Sequence, residues 1–318
     1  MAELLDLGDC ITAVEAALRA HAEGRSIPSG VLSAAADGGA FHLKTAGLTG
    51  GRPYFAAKLN GNFERNAERF GLPRIQGLVV LCDAQNGLPL AVMDSARITV
   101  VRTAAATAVA ARYLARTDSA VATICGCGVQ GRAQLAALCR VRPIAGVLAY
   151  DADPRVAERF AAELSARLAV RAVATADLER AGRSSDVIVT CTPSRRPLLG
   201  PRAVRPGTFV AAVGADAEDK QELAPELLGV ARVVVDHLEQ CATIGELHHA
   251  LERGVLGRAD VFGELHDVVA GRRPGRTSDD EIFVFDSTGV AIEDVAAAAL
   301  VYERAVAAGA GTVVELAG

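Results

Sequence analysis

The sequence predicts an α/β protein in which a Rossmann-type, doubly wound parallel sheet is joined to an α+β domain. Three observations carry this. After Thr117-Asp118-Ser119, short β-branched runs (VATIC, VLAYD, VRAVA, DVIVTCT, TFVAAVG, ARVVVD) alternate with helical stretches, as parallel strands linked by crossover helices do. These runs are continuously apolar, which suits strands covered on both faces. Upstream, GLVVLCDAQNGLPLAVMD reads as two strands joined through Asn86-Gly87, a pair that tolerates positive φ and so signals an antiparallel hairpin.

The elements follow in order. Residues 9–23 place Ile11, Val14, Ala17 and Leu18 at helical spacing, giving an amphipathic helix that ends near Gly24. From about Ile98 to Arg116 the chain is alanine-rich, without Gly or Pro, and is expected to form a long helix bridging two domains. Arg102-Thr103 falls near the start of that helix on this reading. EIFVFDS is the last strand, and the alanine-rich segment after it is expected to return to the N-terminal domain. The expected division is 1–116 with 292–318 for a substrate-binding and dimerisation domain, and 117–291 for a dinucleotide-binding domain.

At 318 residues and 51% hydrophobic, the chain can bury the cores of two ordinary domains. Lys plus Arg number 33 against 38 for Asp plus Glu, a net charge of -5, and no basic cluster is interleaved with aromatics, so nucleic acid is not an expected partner. MAELLDLGDC lacks the basic start and apolar core of a signal peptide, and no apolar run reaches membrane-spanning length. A cytoplasmic protein without a membrane partner is expected. Seven scattered cysteines suit reduced thiols. Cys125 and Cys127 make a C-x-C pair, but no second Cys or His pair lies at zinc-like spacing, so no metal is expected.

Gly126-Cys127-Gly128-Val129-Gln130-Gly131 is a full G-x-G-x-x-G following the strand VATIC and opening a helix. The first Gly makes the tight turn, the second admits a pyrophosphate to the backbone, and the third lets helix and strand pack closely. The helix start adds free N–H groups and a positive dipole end. Asp151 lies 20 residues after Gly131, at the end of the next strand run, where a carboxylate accepts both ribose hydroxyls of NAD. Its charge disfavours a 2′-phosphate, although Arg155 one turn later leaves NADP open. In such a sheet the nicotinamide half should face Thr192-Pro193-Ser194 and Val213-Gly214-Ala215-Asp216.

Other polar residues admit two readings each. Lys58 interrupts the apolar run YFAAKLN, so its ammonium either reaches solvent or meets an anion such as a substrate. Arg102 suits an anion near a helix start or an ordinary surface. Asp216 follows a strand end, as a catalytic carboxylate or a cap. His248-His249 are adjacent and expected to point to different sides of a helix, which makes them poor joint metal ligands. Asp286-Ser287-Thr288-Gly289 either reaches the cofactor or forms a turn and cap.

YFAAKLNGN, RTAAATAVAARYLA, CGCGVQGRAQL, DVIVTCTPS, VGADAEDKQEL and FDSTGVAIEDVAAA together resemble the ornithine cyclodeaminase/mu-crystallin family, in the family's order and over essentially the whole chain. The TPSR, GAD…KQEL and FDSTG blocks bring it nearest to the alanine dehydrogenase and imine or ketimine reductase members. The resemblance implies a homodimer. It implies that Lys58 holds the substrate near the nicotinamide, that Arg102 binds its carboxylate and that Asp216 acts on its amino or imino nitrogen. Thr103 is implied near the cofactor phosphates and Ser287 near the nicotinamide. Three positions depart from the family pattern: Val31 where a basic residue is common, His42 where cyclodeaminases carry glutamate, and Lys44 where methionine is common. Lys44 is therefore a candidate replacement for the lost carboxylate anchor, with His42 beside it in the substrate pocket.

The implied activity is that of an NAD-dependent oxidoreductase interconverting a small 2-amino acid and its 2-imino, 2-oxo or cyclic ketimine partner. A cyclodeaminase-type lyase using NAD catalytically is the alternative, weakened by His42. A non-catalytic NAD(P)-binding protein is the third reading, opposed by the retention of Lys58, Arg102 and Asp216.

Overall fold

The computed structural model describes residues 4–315. Its contacts divide into two units, Met1–Arg102 with Ala291–Gly318, and Thr103–Val290.

In the first unit, helix α1 (Leu7–Ala22) is capped by Asp6, whose carboxylate accepts from the N–H groups of Gly8 and Asp9. Strands β1 (Ser26–Ala36), β2 (Gly39–Leu48), β3 (Tyr54–Phe63), β4 (Ile75–Asp83) and β5 (Pro89–Asp94) form one antiparallel sheet in sequence order, with the short helix α2 (Asn66–Phe70) between β3 and β4. Helix α3 (Ser95–Leu114) begins in this unit, and α11 (Ala291–Ala307) returns to it, packing on α1 and on β2 and β3. Because side chains alternate across a strand, the sheet has two unlike faces. Ala46, Ala56, Lys58, Val79 and Leu81 are buried on the inner one. Leu32, Leu43, Leu59 and Leu78 are successive cross-strand partners on the outer one, and Leu32, Leu59 and Leu78 are exposed there.

One local expectation, the start of α3, needs correction, while β4 and β5 form the expected antiparallel hairpin, joined through Asn86-Gly87 within the five-residue loop 84–88. Only Gly87 takes positive φ (79°); Asn86 instead accepts from the Leu88 N–H at 2.9 Å, an Asx turn that needs no left-handed backbone. Helix α3 begins at Ser95, with Asp94 accepting from Ala96 N–H. Arg102 therefore lies two turns inside the helix, away from its dipole end. The contact boundary also falls within α3 and not after residue 116, for a visible reason. The Arg142 guanidinium bonds the carbonyls of Ala111, Arg112 and Ala115, and Arg276 bonds that of Leu114, so the helix C-terminus is tied into the second unit.

The second unit alternates strands and helices: β6 (Val121–Cys125), α4 (Val129–Val141), β7 (Gly146–Tyr150), α5 (Pro154–Leu168), β8 (Arg171–Ala174), α6 (Leu178–Arg183), β9 (Val187–Thr190). A small pair, β10 (Arg195–Leu199) with β12 (Gln221–Leu223), flanks β11 (Phe209–Ala212) in sequence. Helix α7 (Pro225–Gly229), β13 (Arg232–Val235), α8 (Leu238–Ile244), α9 (Glu246–Glu252), β14 (Gly263–Glu264), α10 (Leu265–Val269) and β15 (Phe283–Asp286) complete it. The main sheet has eight strands in the order β14-β13-β15-β11-β9-β6-β7-β8, and its pairings are parallel. The chain leaves β6 toward β7 and β8, then resumes on the other side at β9. That reversal is the crevice at which doubly wound sheets receive ligands.

The turn from β6 into α4 depends on contact between backbones. A Cβ on Gly131 would lie 2.1 Å from the carbonyl oxygen of Gly126, and neither atom can move without parting helix from strand. Gly131→Ala is expected to destabilise the protein by about 1–3 kcal/mol through overpacking, read as a lower urea midpoint. An unchanged midpoint would mean that the turn is looser than described.

Candidate functional site

The dinucleotide elements come together at the carboxyl ends of β6, β7, β9 and β11. Gly126 has φ of 101°, and a Cβ there would lie 3.0 Å from both Cys191 O and Thr192 Cγ2. Gly128 is the N-cap of α4, with no side chain bonded to the helix start, and a Cβ on it would meet nothing within 4 Å. The opening N–H groups at Val129 and Gln130 are thus left for an anion, and the open side of Gly128 admits one. Asp151, just past β7, accepts from the Cys127 N–H at 2.9 Å through one oxygen and from the Asp153 N–H at 3.1 Å through the other, which fixes the carboxylate beside the loop. These residues fit a dinucleotide with an unphosphorylated adenosine ribose. Cys127 is buried and gives its thiol hydrogen to Tyr150 O; burial pushes that thiol up to about 12. It packs the loop.

The loops that follow β9 and β11 are held from behind. Thr192 donates its N–H and its hydroxyl to Glu222 Oε1 at 2.6 and 2.7 Å, and Gly214 donates its N–H to Oε2 at 3.0 Å. Val213 joins β11 to this loop by donating its N–H to Thr190 O at 2.9 Å. Ser194 turns its hydroxyl to Arg196 O, and Pro193 stands between Thr192 and Ser194. Asp216, two residues past Gly214, is half exposed and ion-paired with Lys220. Ser287 is buried, and its hydroxyl donates to Asp236 at 3.1 Å. Asp236 also accepts from Thr288 Oγ1 and Gly289 N–H. Thr103 is buried on α3.

In the first unit Lys58 is buried, and its ammonium donates to Asp294 at 2.8 Å. Arg102 is buried beside it, 2.6 Å from Glu293 and 3.0 Å from Asp294. Lys44 is the cross-strand partner of Lys58 and shares its face. Like charges directly opposite are unfavourable, and the acidic pair of α11 is what they meet. Burial, then the Arg102 charge, push the Lys58 ammonium down to about 7, against the pull of Asp294. Burial alone would raise the Asp294 carboxyl, but Lys58 and Arg102 hold it below its ordinary value. His42, on the same face of β2, shares a hydrogen bond with Ser33 at 3.0 Å; Val31, half exposed, is the cross-strand partner of Lys44.

Thus Lys58, Arg102 and Lys44 are brought together, as are Gly126, Gly128, Gly131 and Asp151. The sequence reading passed over Glu293, Asp294 and Glu222, although all three lie in the quoted blocks. For Glu293 and Asp294 the signal was the one applied to Lys58, a charge inside an apolar run; Glu222, in the polar stretch AEDKQEL, carried no such signal. The expectation for His248 and His249 is overturned: their ring centroids lie 4.6 Å apart, and with Glu252 their ligand atoms come within metal-binding reach of one another. His249 Nε2 is engaged with Lys220 O at 2.8 Å and His248 Nε2 with Glu252 at 3.2 Å, so the pair braces α9.

The sequence model of the ornithine cyclodeaminase/mu-crystallin family matches residues 1–309. The chain belongs to this family. Its relatives include an alanine dehydrogenase from Archaeoglobus fulgidus, 40% identical over 309 residues that cover 97% of this chain and 94% of that one. Among solved members of the family, an archaeal alanine dehydrogenase dimer with bound NAD superposes with a TM-score of 0.94 at 40% identity, covering 99% and 96% of the two chains. The Thermococcus litoralis Δ1-pyrroline-2-carboxylate reductase, in complex with NADH and L-proline, superposes with a TM-score of 0.94 at 33% identity over 99% and 98%.

The low Lys58 value sets a direction for stability. Between about pH 7, where Lys58 loses its proton in the folded chain, and about pH 10.4, where an unfolded lysine does, the unfolded state binds more protons. Stability attributable to Lys58 therefore rises with pH by up to about 1.4 kcal/mol per unit in that window and is flat below it. The difference in unfolding free energy between the parent and Lys58→Met, from urea titrations at pH 6, 7, 8 and 9, should move in the parent's favour above pH 7. A difference constant across all four would show that Lys58 titrates normally.

Proposed function

We propose that this protein is an NAD-dependent oxidoreductase interconverting a small 2-amino acid and its 2-imino acid, 2-oxo acid or cyclic ketimine. The observation that carries the reading is the buried Lys58–Asp294–Arg102–Glu293 cluster in a chain whose other unit presents the Gly126–Gly131 loop and Asp151. The nicotinamide, when bound, supplies or accepts hydride at the substrate Cα. Arg102 and Lys44 hold the substrate carboxylate, with His42 lining the same strand. Lys58, poised near neutrality, exchanges a proton with the substrate nitrogen or its leaving water, and Asp216 stabilises the nitrogen cation. Asp151 selects NAD over NADP. His42 supplies no carboxylate where cyclodeaminases carry glutamate, which supports net redox chemistry over cyclodeamination.

A homodimer is part of this reading. It is supported by the dimeric archaeal relative and by the outer row of Leu32, Leu59 and Leu78, each about half exposed or more (64%, 47% and 52%), a contiguous apolar row of the kind found at protein–protein contacts. Free cysteines and, among the described residues, no helix long and apolar enough to cross a membrane support a cytoplasmic setting.

The test of activity follows NADH absorbance with pyruvate plus ammonia, glyoxylate plus ammonia, and five- and six-membered cyclic ketimines, alongside ornithine for NAD-catalysed ammonia release. Turnover of at least one imino substrate is expected. Lys58→Met and Asp216→Asn should lower kcat by roughly 10²–10⁴ while leaving NADH binding within a few-fold. Ammonia release from ornithine without net NADH change would replace this reading by the lyase. The assembly test is separate: Leu59→Asp combined with Leu78→Lys should convert a dimer to a folded monomer in sedimentation, and a dimer that persists would place the interface elsewhere.

A further inference from the structure

Glu222, on β12, is the one buried carboxylate whose two oxygens reach two different cofactor-side loops among the described residues. Its side chain is fully buried. Oε1 takes both donors of Thr192, in the loop after β9, and Oε2 takes the N–H of Gly214, in the loop after β11; β9 and β11 are adjacent, paired strands. The packing around this carboxylate leaves no slack. A Cβ on Gly214 would lie 2.4 Å from both Glu222 Oε2 and Thr192 O, and one on Gly126 would lie 3.0 Å from the Thr192 methyl. The same carboxylate therefore sets the spacing of two loops directly, and of the glycine loop through Thr192.

The carboxylate is itself held in place. Glu246, also buried, accepts the Glu222 N–H at 2.7 Å and the Leu223 N–H at 2.9 Å, pinning the backbone of β12 from the far side. Burying a carboxylate costs several kcal/mol after relaxation, and a glutamine would fill the same volume at less cost. Glutamine has one acceptor oxygen, however, and its NH₂ would face an N–H donor on one of the two loops. Three donors converging on two oxygens require the acid.

We propose that Glu222 is a positioning residue for the nicotinamide end of the dinucleotide site, clamping the Thr192 and Gly214 loops at the separation the bound cofactor needs. This rests on the reading of the second unit as NAD-binding. It assigns Thr192 a structural use for its hydroxyl, which points to Glu222, and leaves its methyl against Gly126 of the glycine loop and its carbonyl against Gly214.

The experiment titrates NADH into the purified full-length protein and reads the fluorescence of the bound dinucleotide, with Tm measured on the same samples. Glu222→Gln should raise the NADH Kd tenfold or more. Glu222→Asp, which keeps the charge but cannot reach both loops, should fall between Glu222→Gln and the parent. Thr192→Val, which loses only the hydroxyl contact, should raise Kd about threefold to fivefold. Leu265→Ala, a buried position on α10, supplies the control: it should lower Tm while holding Kd within twofold. In steady-state assays at saturating NADH, Glu222→Asp should lower kcat with the amino or imino acid KM unchanged. The clamp is refuted if Glu222→Gln binds NADH within twofold of the parent, or if Leu265→Ala weakens binding as much. Should Glu222→Gln fail to fold, Glu222→Asp and Thr192→Val decide by the same criterion. A parent that binds no NADH overturns the cofactor reading and this inference with it, whereas equal binding by parent and Glu222→Gln overturns the clamp alone.

Discussion

A charge taken out of water must be met by an opposite charge or by hydrogen bonds already in place, and both units are organised around that constraint. In the first, Lys58 and Arg102 face Asp294 and Glu293, with every side chain in the cluster at most 6% exposed. In the second, three buried carboxylates are met by hydrogen-bond donors: Glu222 by three, Glu246 by two backbone N–H groups, and Asp236 by Ser287, Thr288, Gly289 and His237. The same demand explains certain glycines. Gly214 is small because Glu222 approaches it, and Gly245 because a Cβ would lie 2.5 Å from Asp286 Oδ2.

The two solutions have different consequences. An ion pair in a low-dielectric setting couples its members, so removing one leaves the other uncompensated at a cost of roughly 3–5 kcal/mol; Lys58, Asp294 and Arg102 act as a set. The set also sets the proton affinity of Lys58. Burial and Arg102 lower its proton affinity while Asp294 raises it, and the balance falls at about 7. A carboxylate met only by N–H and O–H donors behaves otherwise. Burial outweighs the donors at Glu222, holding it above the ordinary carboxylate value. The Asp286 carboxyl, where burial again leads and Asp236 adds to it, is pushed up to about 7. These groups fix backbone positions, and their geometry matters more than their titration.

The parallel sheet was legible because its strands are continuous apolar runs with turn residues between them, and the glycine loop because each of its glycines answers a separate steric demand. Lys58 stood out as a cation in an apolar strand. Glu293 and Asp294 did not, although an acidic pair inside AIEDVAAA poses the same problem, because helices routinely carry acids on a solvated face and periodicity alone does not say that α11 is buried all round its first turns. Glu222 was hidden for a different reason: its partners lie 30 and 8 residues away, on loops whose adjacency only the strand order creates. Local signals also misplaced the start of α3, where SARIT lacks the alanine run that marks its body, and separated His248 from His249, whose side chains bend toward each other once Lys220 O and Glu252 engage them. Asn86-Gly87 marked the β4–β5 hairpin, and Asp83 and Asn86, accepting from Gln85 N–H and Leu88 N–H, stabilise its five-residue loop.

The cost of substitution is distributed unevenly over the inner face of the antiparallel sheet. Lys58 cannot be exchanged without stranding Asp294, nor Arg102 without stranding Glu293. One strand away, the burden lifts. Val31 is half exposed and carries no charge, and His42 shares a hydrogen bond with Ser33 across the β1–β2 pair. Lys44 is intermediate, facing Lys58 on one side and Val31 on the other. Physical tolerance to change therefore grows from β3 toward β1, from buried charges that compensate one another to side chains with no buried charge to answer. The constrained end of this face is the buried set on β3, α3 and α11, and Val31 stands at the other end, half exposed and free of any charge to compensate.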